Sequence, residues 1–358
     1  GQIELGLERV RARAMAMQNS KELEELIGTV FTELTKLDLA LTRCIIWVFE
    51  PATNAARWWM ANSEEPSNPM SFFIKYHEHP AYLSFVKEWK RQNVKFVYDL
   101  NGEDKTAWDD ILFNETELKM LPEAVKDGMR APGRVLLSGS FNNFGGINAA
   151  SLDPLSDEHF DILLRFAKVF DLTYTRFNDL QKAEAQAREA KIETSLERVR
   201  SKTMAMHNST EVGETVAVMF DELRKLGIET YRCGIGILDE TKEMEVWAAK
   251  PDDKGKAELI IGNLDMRMHP LLKGALDNWN NNKESYYYHL KGKDLINYFN
   301  AINKHDNYPA KYDFDSLPQE IFHHDFYFKE GTLFVFTLNQ LTSEDESTLK
   351  RFAGVFGQ

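Results

Sequence analysis

The chain is 358 residues long, 43% hydrophobic and 28% charged, enough for two domains that each bury a core. Its 43 Lys and Arg against 56 Asp and Glu leave a net charge of −13, which argues against nucleic acid or an anionic membrane surface as a partner. No apolar run approaches the ~18 residues of a membrane span and no signal peptide opens the chain, so a cytoplasmic setting is expected.

The N-terminal segment Leu7-Glu8-Arg9-Val10-Arg11-Ala12-Arg13-Ala14-Met15-Ala16-Met17-Gln18-Asn19-Ser20 returns 189 residues later, as Leu196-Glu197-Arg198-Val199-Arg200-Ser201-Lys202-Thr203-Met204-Ala205-Met206-His207-Asn208-Ser209. From Ile3 to Ser20 against Ile192 to Ser209, 12 of 18 positions are identical. The chain is therefore read as one module written twice. Ile192, Leu196, Val199, Thr203 and Met206, like Ile3, Leu7, Val10, Ala14 and Met17, are spaced alternately by four and three. Such a narrow stripe suits a two-helix seam between chains; the same spacing also fits a helix laid on its own domain.

Asn19 to Glu22 and Asn208 to Glu211 read as capping boxes, each opening an amphipathic helix through Leu26, Val30, Phe31, Leu34 and Leu37, or Val216, Phe220, Leu223 and Leu226. The period then shortens: Arg43 to Phe49 and Arg232 to Leu238 are β-rich runs, each followed by a turn and a second strand, one holding Trp58 and the other Trp247. After an irregular stretch the copies rejoin at His79-Pro80 and His269-Pro270. Helices carrying Leu83, Val86 and Trp89, or Leu272, Leu276 and Trp279, are expected there.

Strands Val94 to Tyr98 and Ser285 to Tyr288 lead into Leu-x-Gly-x-Asp, whose Gly (102, 292) reads as a turn and whose Asp (104, 294) reads as a helix cap. Arg134 to Phe141 with Gly146 to Leu152, and Ile321 to Lys329 with Thr332 to Leu338, form hairpins. A final helix follows each. In the first copy it has no evident stop before Asn208, which predicts a rod from Asp157 to His207. The opening at Gly1 and the stop at Gln358 both fall inside repeat units, which suggests a fragment of a longer protein with an output domain downstream.

This order, helix, hairpin, crossing helix, further strands and exit helix, resembles the GAF sensory fold, whose central antiparallel sheet has helices mainly on one side. The Leu-Glu-Arg-Val-Arg-x-x-x-Met-Ala-Met segment and Phe177 to Ala190 are similar to connectors in two-component sensor histidine kinases. The fold class expected is α+β: GAF-like domains at 21–155 and 209–340, joined by a long coiled-coil-type helix at 156–208. A signalling helix segment at 1–20 and the start of an output helix at 341–358 flank them. The resemblance implies a non-catalytic sensory fragment, a homodimer through its helices and a kinase or other output domain in the same parent chain. It carries over no particular ligand or cofactor. A dimerising scaffold without ligand is the alternative, and a small-molecule enzyme on the fold a third reading.

Chemistry-bearing motifs are sparse: there is no phosphate loop, no Gly-x-Ser-x-Gly and no His-Glu-x-x-His. Cys44 and Cys233 are counterparts on first strands and read as buried strand residues. His77-Glu78-His79 is not repeated as a metal pattern; only His79 and His269 persist, as helix-start residues or as ligand contacts. Trp58, Trp89 and His79, with Trp247, Trp279 and His269, are the candidate ligand-binding residues, expected around a pocket between sheet and crossing helix.

Overall fold

The computed structural model describes residues 1–37, 43–62 and 64–357. Gln358, at the end of the expected output helix, lies outside them. Packing divides the chain within its longest helix, the first unit running through Ala185 and the second starting at Gln186.

The first unit opens with α1 (Gln2–Ala16) and α2 (Leu23–Lys36). Between them the capping box forms as its residues dictate: the Asn19 side chain accepts from the Lys21 N–H at 3.0 Å, and the Glu22 carboxylate accepts from the Asn19 N–H at 3.0 Å. Strands β1 (Arg43–Phe49), β2 (Ala56–Asn62) and β3 (Glu65–Ile74) follow, then α3 (Pro80–Lys90), β4 (Phe96–Asn101), α4 (Gly102–Glu115), α5 (Glu123–Arg130), β5 (Arg134–Phe141) and β6 (Gly145–Ser151). The six strands make one antiparallel sheet in the order β3-β2-β1-β6-β5-β4.

Helix α6 (Asp157–Met204) runs for 48 residues, about 72 Å at 1.5 Å per residue, and stops three residues short of the expected His207. The second unit takes its C-terminal part and adds α7 (Ser209–Lys225), β7 (Arg232–Leu238), β8 (Glu243–Pro251), β9 (Ala257–Asp265), α8 (Pro270–Asn280), β10 (Ser285–Lys291), α9 (Gly292–Lys304), β11 (Glu320–Phe328), β12 (Gly331–Thr337) and α10 (Ser343–Phe356). Its sheet order, β9-β8-β7-β12-β11-β10, repeats that of the first unit strand for strand. Each unit thus has a GAF-like fold, one six-stranded antiparallel sheet with flanking helices.

Two expectations change. The irregular stretch before His79 holds a third strand, hidden in sequence by Pro66 and Pro69, which an edge strand such as β3 tolerates. The helices also lie on both faces of each sheet rather than mainly on one. In β1 the period of two sends Ile45, Trp47 and Phe49 to the core under α3 and α4, and Ile46 to the core under α1, α2 and α6.

The second face explains the repeated stripe. Leu7 and Val10 are 1% and 0% exposed and pack with Ile27, Phe31 and Phe166 inside their own unit. Leu196 and Val199 are 3% and 0% exposed and pack with Val216, Phe220 and Phe352 in theirs. The stripe is therefore core, not a free seam between chains. The arginine between Leu and Val completes the match: Arg9 pairs with Glu33 on α2 at 3.0 Å, and Arg198 with Glu222 on α7 at 3.1 Å. Both carboxylates are almost fully buried. Burial alone would raise Glu222, but hydrogen bonds from Ser195, Arg198 and Lys225 outweigh it and hold the carboxyl below its usual range. The narrowness of the stripe misled because the small positions beside it, Gly6 and Ser195, are also covered.

Candidate functional site

The first unit encloses an apolar cavity of about 70 Å³ between its sheet and helices α3, α4 and α5. Its walls are aromatic where β1, β2 and α4 meet. The Trp47 and Trp58 rings, directly opposite on neighbouring strands, lie 4.7 Å apart between centroids, and Trp108 of α4 is 6.3 Å from Trp58. Phe85 of α3 stacks on Trp47 at 4.5 Å.

Polar groups in this wall fall into two sets. Lys105 and Asp109, one turn apart on α4, are 3% and 7% exposed and meet at 2.6 Å. The ammonium also donates to the carbonyls of Met129 at 2.9 Å and Arg130 at 3.4 Å, so its three protons are committed. Burial raises the Asp109 carboxyl above its ordinary range, with Lys105 opposing the shift. The second set has no partner at all: Trp47 Nε1, Trp58 Nε1 and Asn148 Oδ1 are buried and unbonded, and all three residues line the cavity. Each such group costs about 1–3 kcal/mol.

Of the six residues singled out in sequence, Trp58 alone lines this cavity. Trp89 stacks on Phe49 at 4.5 Å and donates from Nε1 to the Asn143 carbonyl at 3.1 Å, as part of the same core. Trp279 is half-buried against the α8–α9 core of the second unit. Trp247 lies on the other face of its sheet, with Val216 and Phe220 of α7. The register explains this: Trp47 faces Trp58, but its counterpart Gly236 faces Val246, while Trp247 faces Ile235 as Trp59 faces Ile46. The turn before β8 is one residue shorter, so Trp247 corresponds to Trp59, and a slip of one residue changes the face.

His79 and His269 are N-caps. Their Nδ1 atoms accept from the backbone N–H of Ala81 and Leu271, both at 3.0 Å, which leaves the proton on Nε2. That proton is given to the Asp104 carbonyl at 2.9 Å in one unit and to Asp294 Oδ1 at 2.8 Å in the other. The second carboxylate oxygen accepts from Tyr98 or Tyr288, both at 2.6 Å. The Asp of Leu-x-Gly-x-Asp is thus not the cap but the centre of a clasp joining α3, β4 and α4, or α8, β10 and α9. Burial and the neighbouring Asp294 push the Tyr288 hydroxyl up to about 12, and the same causes raise Tyr98, so both remain donors at neutral pH. His79→Ala or His269→Ala is expected to cost about 1–2 kcal/mol in urea unfolding, with His→Asn intermediate because it keeps the cap and loses the clasp.

In the second unit the counterparts of the cavity wall are different residues. Gly236 and Val246 stand for Trp47 and Trp58, Gly234 and Phe334 for Ile45 and Asn148, and Leu295 and Phe299 for Lys105 and Asp109. Phe334 and Met244 fill the volume vacated at the glycines: a Cβ on Gly234 would come within 2.8 Å of Phe334 Cζ, and one on Gly236 within 2.2 Å of Met244 Sδ. Instead of the Lys–Asp pair, this interior holds His323 and Asp325 at 2.5 Å, with Thr332 donating to Asp325 at 2.8 Å. Among the described residues no cluster of His, Cys, Asp and Glu could hold a metal ion, and no helix is long and apolar enough to cross a membrane. Both cysteine thiols are pushed up to about 12 by burial, which leaves them un-ionised.

Sequence reasoning missed Trp47, Trp108, Lys105, Asp109 and Asn148. Strand alternation could have placed Trp47 beside Trp58, but an (i, i+4) Lys–Asp pair reads in sequence as a solvated helix face.

No protein-family model and no curated protein matches this chain. Among solved structures it is similar to the GAF domain from Acinetobacter phosphoenolpyruvate-protein phosphotransferase, at 12% identity and a TM-score of 0.28, over 46% of this chain and 90% of that one. It is also similar to bacteriophytochrome RpBphP3 from the photosynthetic bacterium R. palustris, at 11% identity and a TM-score of 0.32, over 94% of this chain and 61% of that one.

Proposed function

We propose that this chain is a sensory and regulatory piece of a signalling protein, in which the first GAF-like unit receives a small ligand. The observation that carries the reading is the aromatic-walled cavity of that unit. Residues 21–155 and 209–340 are the proposed domains, 156–208 the link, and 1–20 and 341–358 the flanking helical segments. A histidine kinase in the parent chain is the proposed output, in a cytoplasmic setting and as a homodimer. With the Leu196 and Val199 stripe already covered, self-association would use other side chains on the helices.

For the second unit a packing role without ligand is favoured, since Phe334 and Phe299 stand where the first unit has Asn148 and Asp109 of its cavity wall, and Met244 packs at Gly236. The proposed signal is a shift between two packings of α6 against the first unit, biased by whichever packing the ligand prefers. Hydrogen exchange tests it: ligand addition should change protection along 157–185. Protection changes confined to α3, α4 and α5 would leave binding without relay and contradict the proposal.

A further inference from the structure

Resting on the ligand reading above, we infer that α5 is a lid on the cavity of the first unit, latched by Lys105, and that entry is set by the opening of α5 alone. Burial separates α5 from its neighbours. Helix α3 buries Tyr82, Phe85 and Trp89, and α4 buries Trp108, Leu112 and Phe113, whereas none of the eight residues of α5 is buried. Val125 and Met129 rest half-buried against the core. With so little apolar surface covered, and fewer than the ~12 residues an isolated helix needs, α5 costs least to detach among the helices of this wall. It is also the helix that closes the space. Gly128 and Met129 near its end, with Pro132 just beyond, line the cavity, and the other walls belong to the strands, α3 and α4. Pro122 and Pro132-Gly133 bound the segment, and buried Leu121 anchors the chain before it.

What holds α5 shut is polar and sits at its C-terminal end. The last carbonyls of a helix have no partner within it, and a cation there also meets the negative end of the helix dipole. Lys105 of α4 supplies both, donating to the carbonyls of Met129 at 2.9 Å and Arg130 at 3.4 Å. Arg130 adds a second tie to α4, an ion pair with Asp110 at 2.8 Å and a guanidinium 5.0 Å over the Phe113 ring. Asp109 gives the buried pair its purpose: at 2.6 Å it keeps the Lys105 ammonium partnered when the carbonyls leave, so the lid lifts without stranding a charge. The second unit is the internal comparison. Leu295 and Phe299 stand there for Lys105 and Asp109, and the stretch between α9 and β11 forms no α-helix among its described residues. That stretch is tied down instead: Tyr308 is 3% exposed, and the Asn303 side chain bonds the N–H and the carbonyl of Tyr312 at 2.7 and 2.9 Å. Lid and latch occur in the unit that has a cavity to cover.

The test is hydrogen exchange on the whole chain, read by mass spectrometry, together with labelling of an Ala150→Cys variant, whose thiol lies in the cavity wall, by methyl methanethiolsulfonate. Amides of 125–131 should exchange about a hundredfold faster than those of β5 and β6, through an opening that leaves the sheet protected. Gly128→Ala, whose new Cβ would meet nothing within 4 Å, should slow both exchange and labelling about fivefold by strengthening the helix. Arg130→Ala should speed both about fivefold. Lys105→Leu with Asp109→Phe removes the latch without leaving a lone carboxylate and should speed α5 exchange about tenfold or more. Exchange of the unaltered chain decides even where the Ala150→Cys variant fails to fold. The two readings fail separately. If α5 exchanges no faster than the sheet, or labelling of the introduced thiol follows unfolding of the sheet and not α5, the lid is wrong and the cavity remains a ligand site. An α5 that opens as expected over a cavity that takes up no xenon keeps the lid and removes the ligand.

Discussion

Glutamate at both Leu196 and Val199 should unfold the second unit and leave the first standing. These side chains are 3% and 0% exposed in a core shared with Val216, Met219, Phe220, Leu349 and Phe352. Losing their burial removes about 1.5–3 kcal/mol each, and two unpaired carboxylates in the same place cost several more. The sum exceeds about 5 kcal/mol, comparable to the whole stability of an ordinary domain. Circular dichroism followed through urea should lose one transition and keep the other, and Leu7→Glu with Val10→Glu should give the mirror result. A variant that keeps both transitions and changes only its sedimentation would make the stripe a seam between chains instead.

Removing Lys105 alone should be nearly as severe for the first unit. Lys105→Leu leaves the Asp109 carboxylate buried without its partner, at a cost of about 3–5 kcal/mol. Adding Asp109→Phe should recover most of that, because the second unit already uses Leu295 and Phe299 at the same two positions of its α9. The loss also depends on pH with a definite sign. Burial raises the Asp109 carboxyl and Lys105 opposes the rise, so the variant's folded-state pKa is higher still. The folded variant then binds a proton more readily than the unfolded chain, its stability falls as pH rises through that window, and the deficit relative to the parent should narrow on acidification. A deficit independent of pH between 4 and 7, or a double variant no better than the single, would show that the pair is not the cause.

The duplication was legible because a helix, a hairpin and a His-Pro start recur with little change in spacing, and those spacings fix the order of elements. Both capping boxes and both His N-caps could be read for the same reason: a cap needs one residue type at one position. What the sequence misassigned was what lies across from each element. Leu196 and Val199 have the spacing of a seam, and only the presence of α7 and α10 beside them shows that they are core. Trp58 and Trp247 look like counterparts until the one-residue difference in the preceding turn is seen, and then they face opposite ways. Leu83, expected on the core face of α3, is 40% exposed, while Tyr82 and Phe85 on either side are buried. Lys105 and Asp109 were invisible as a site because local sequence cannot tell a buried ion pair from an exposed one.

Two copies of one fold differ in their interiors: an apolar, aromatic-walled cavity in the first, and in the second Phe334 and Phe299 at the places of Asn148 and Asp109, with Met244 packed at Gly236. Electron density of crystals pressurised with xenon tests this most directly, since xenon enters small apolar cavities. The expected result is xenon beside Trp47 and Trp58 and continuous side-chain packing at Gly236, Val246 and Phe334. Xenon in the second unit's interior, or none in the first at saturating pressure, would contradict it.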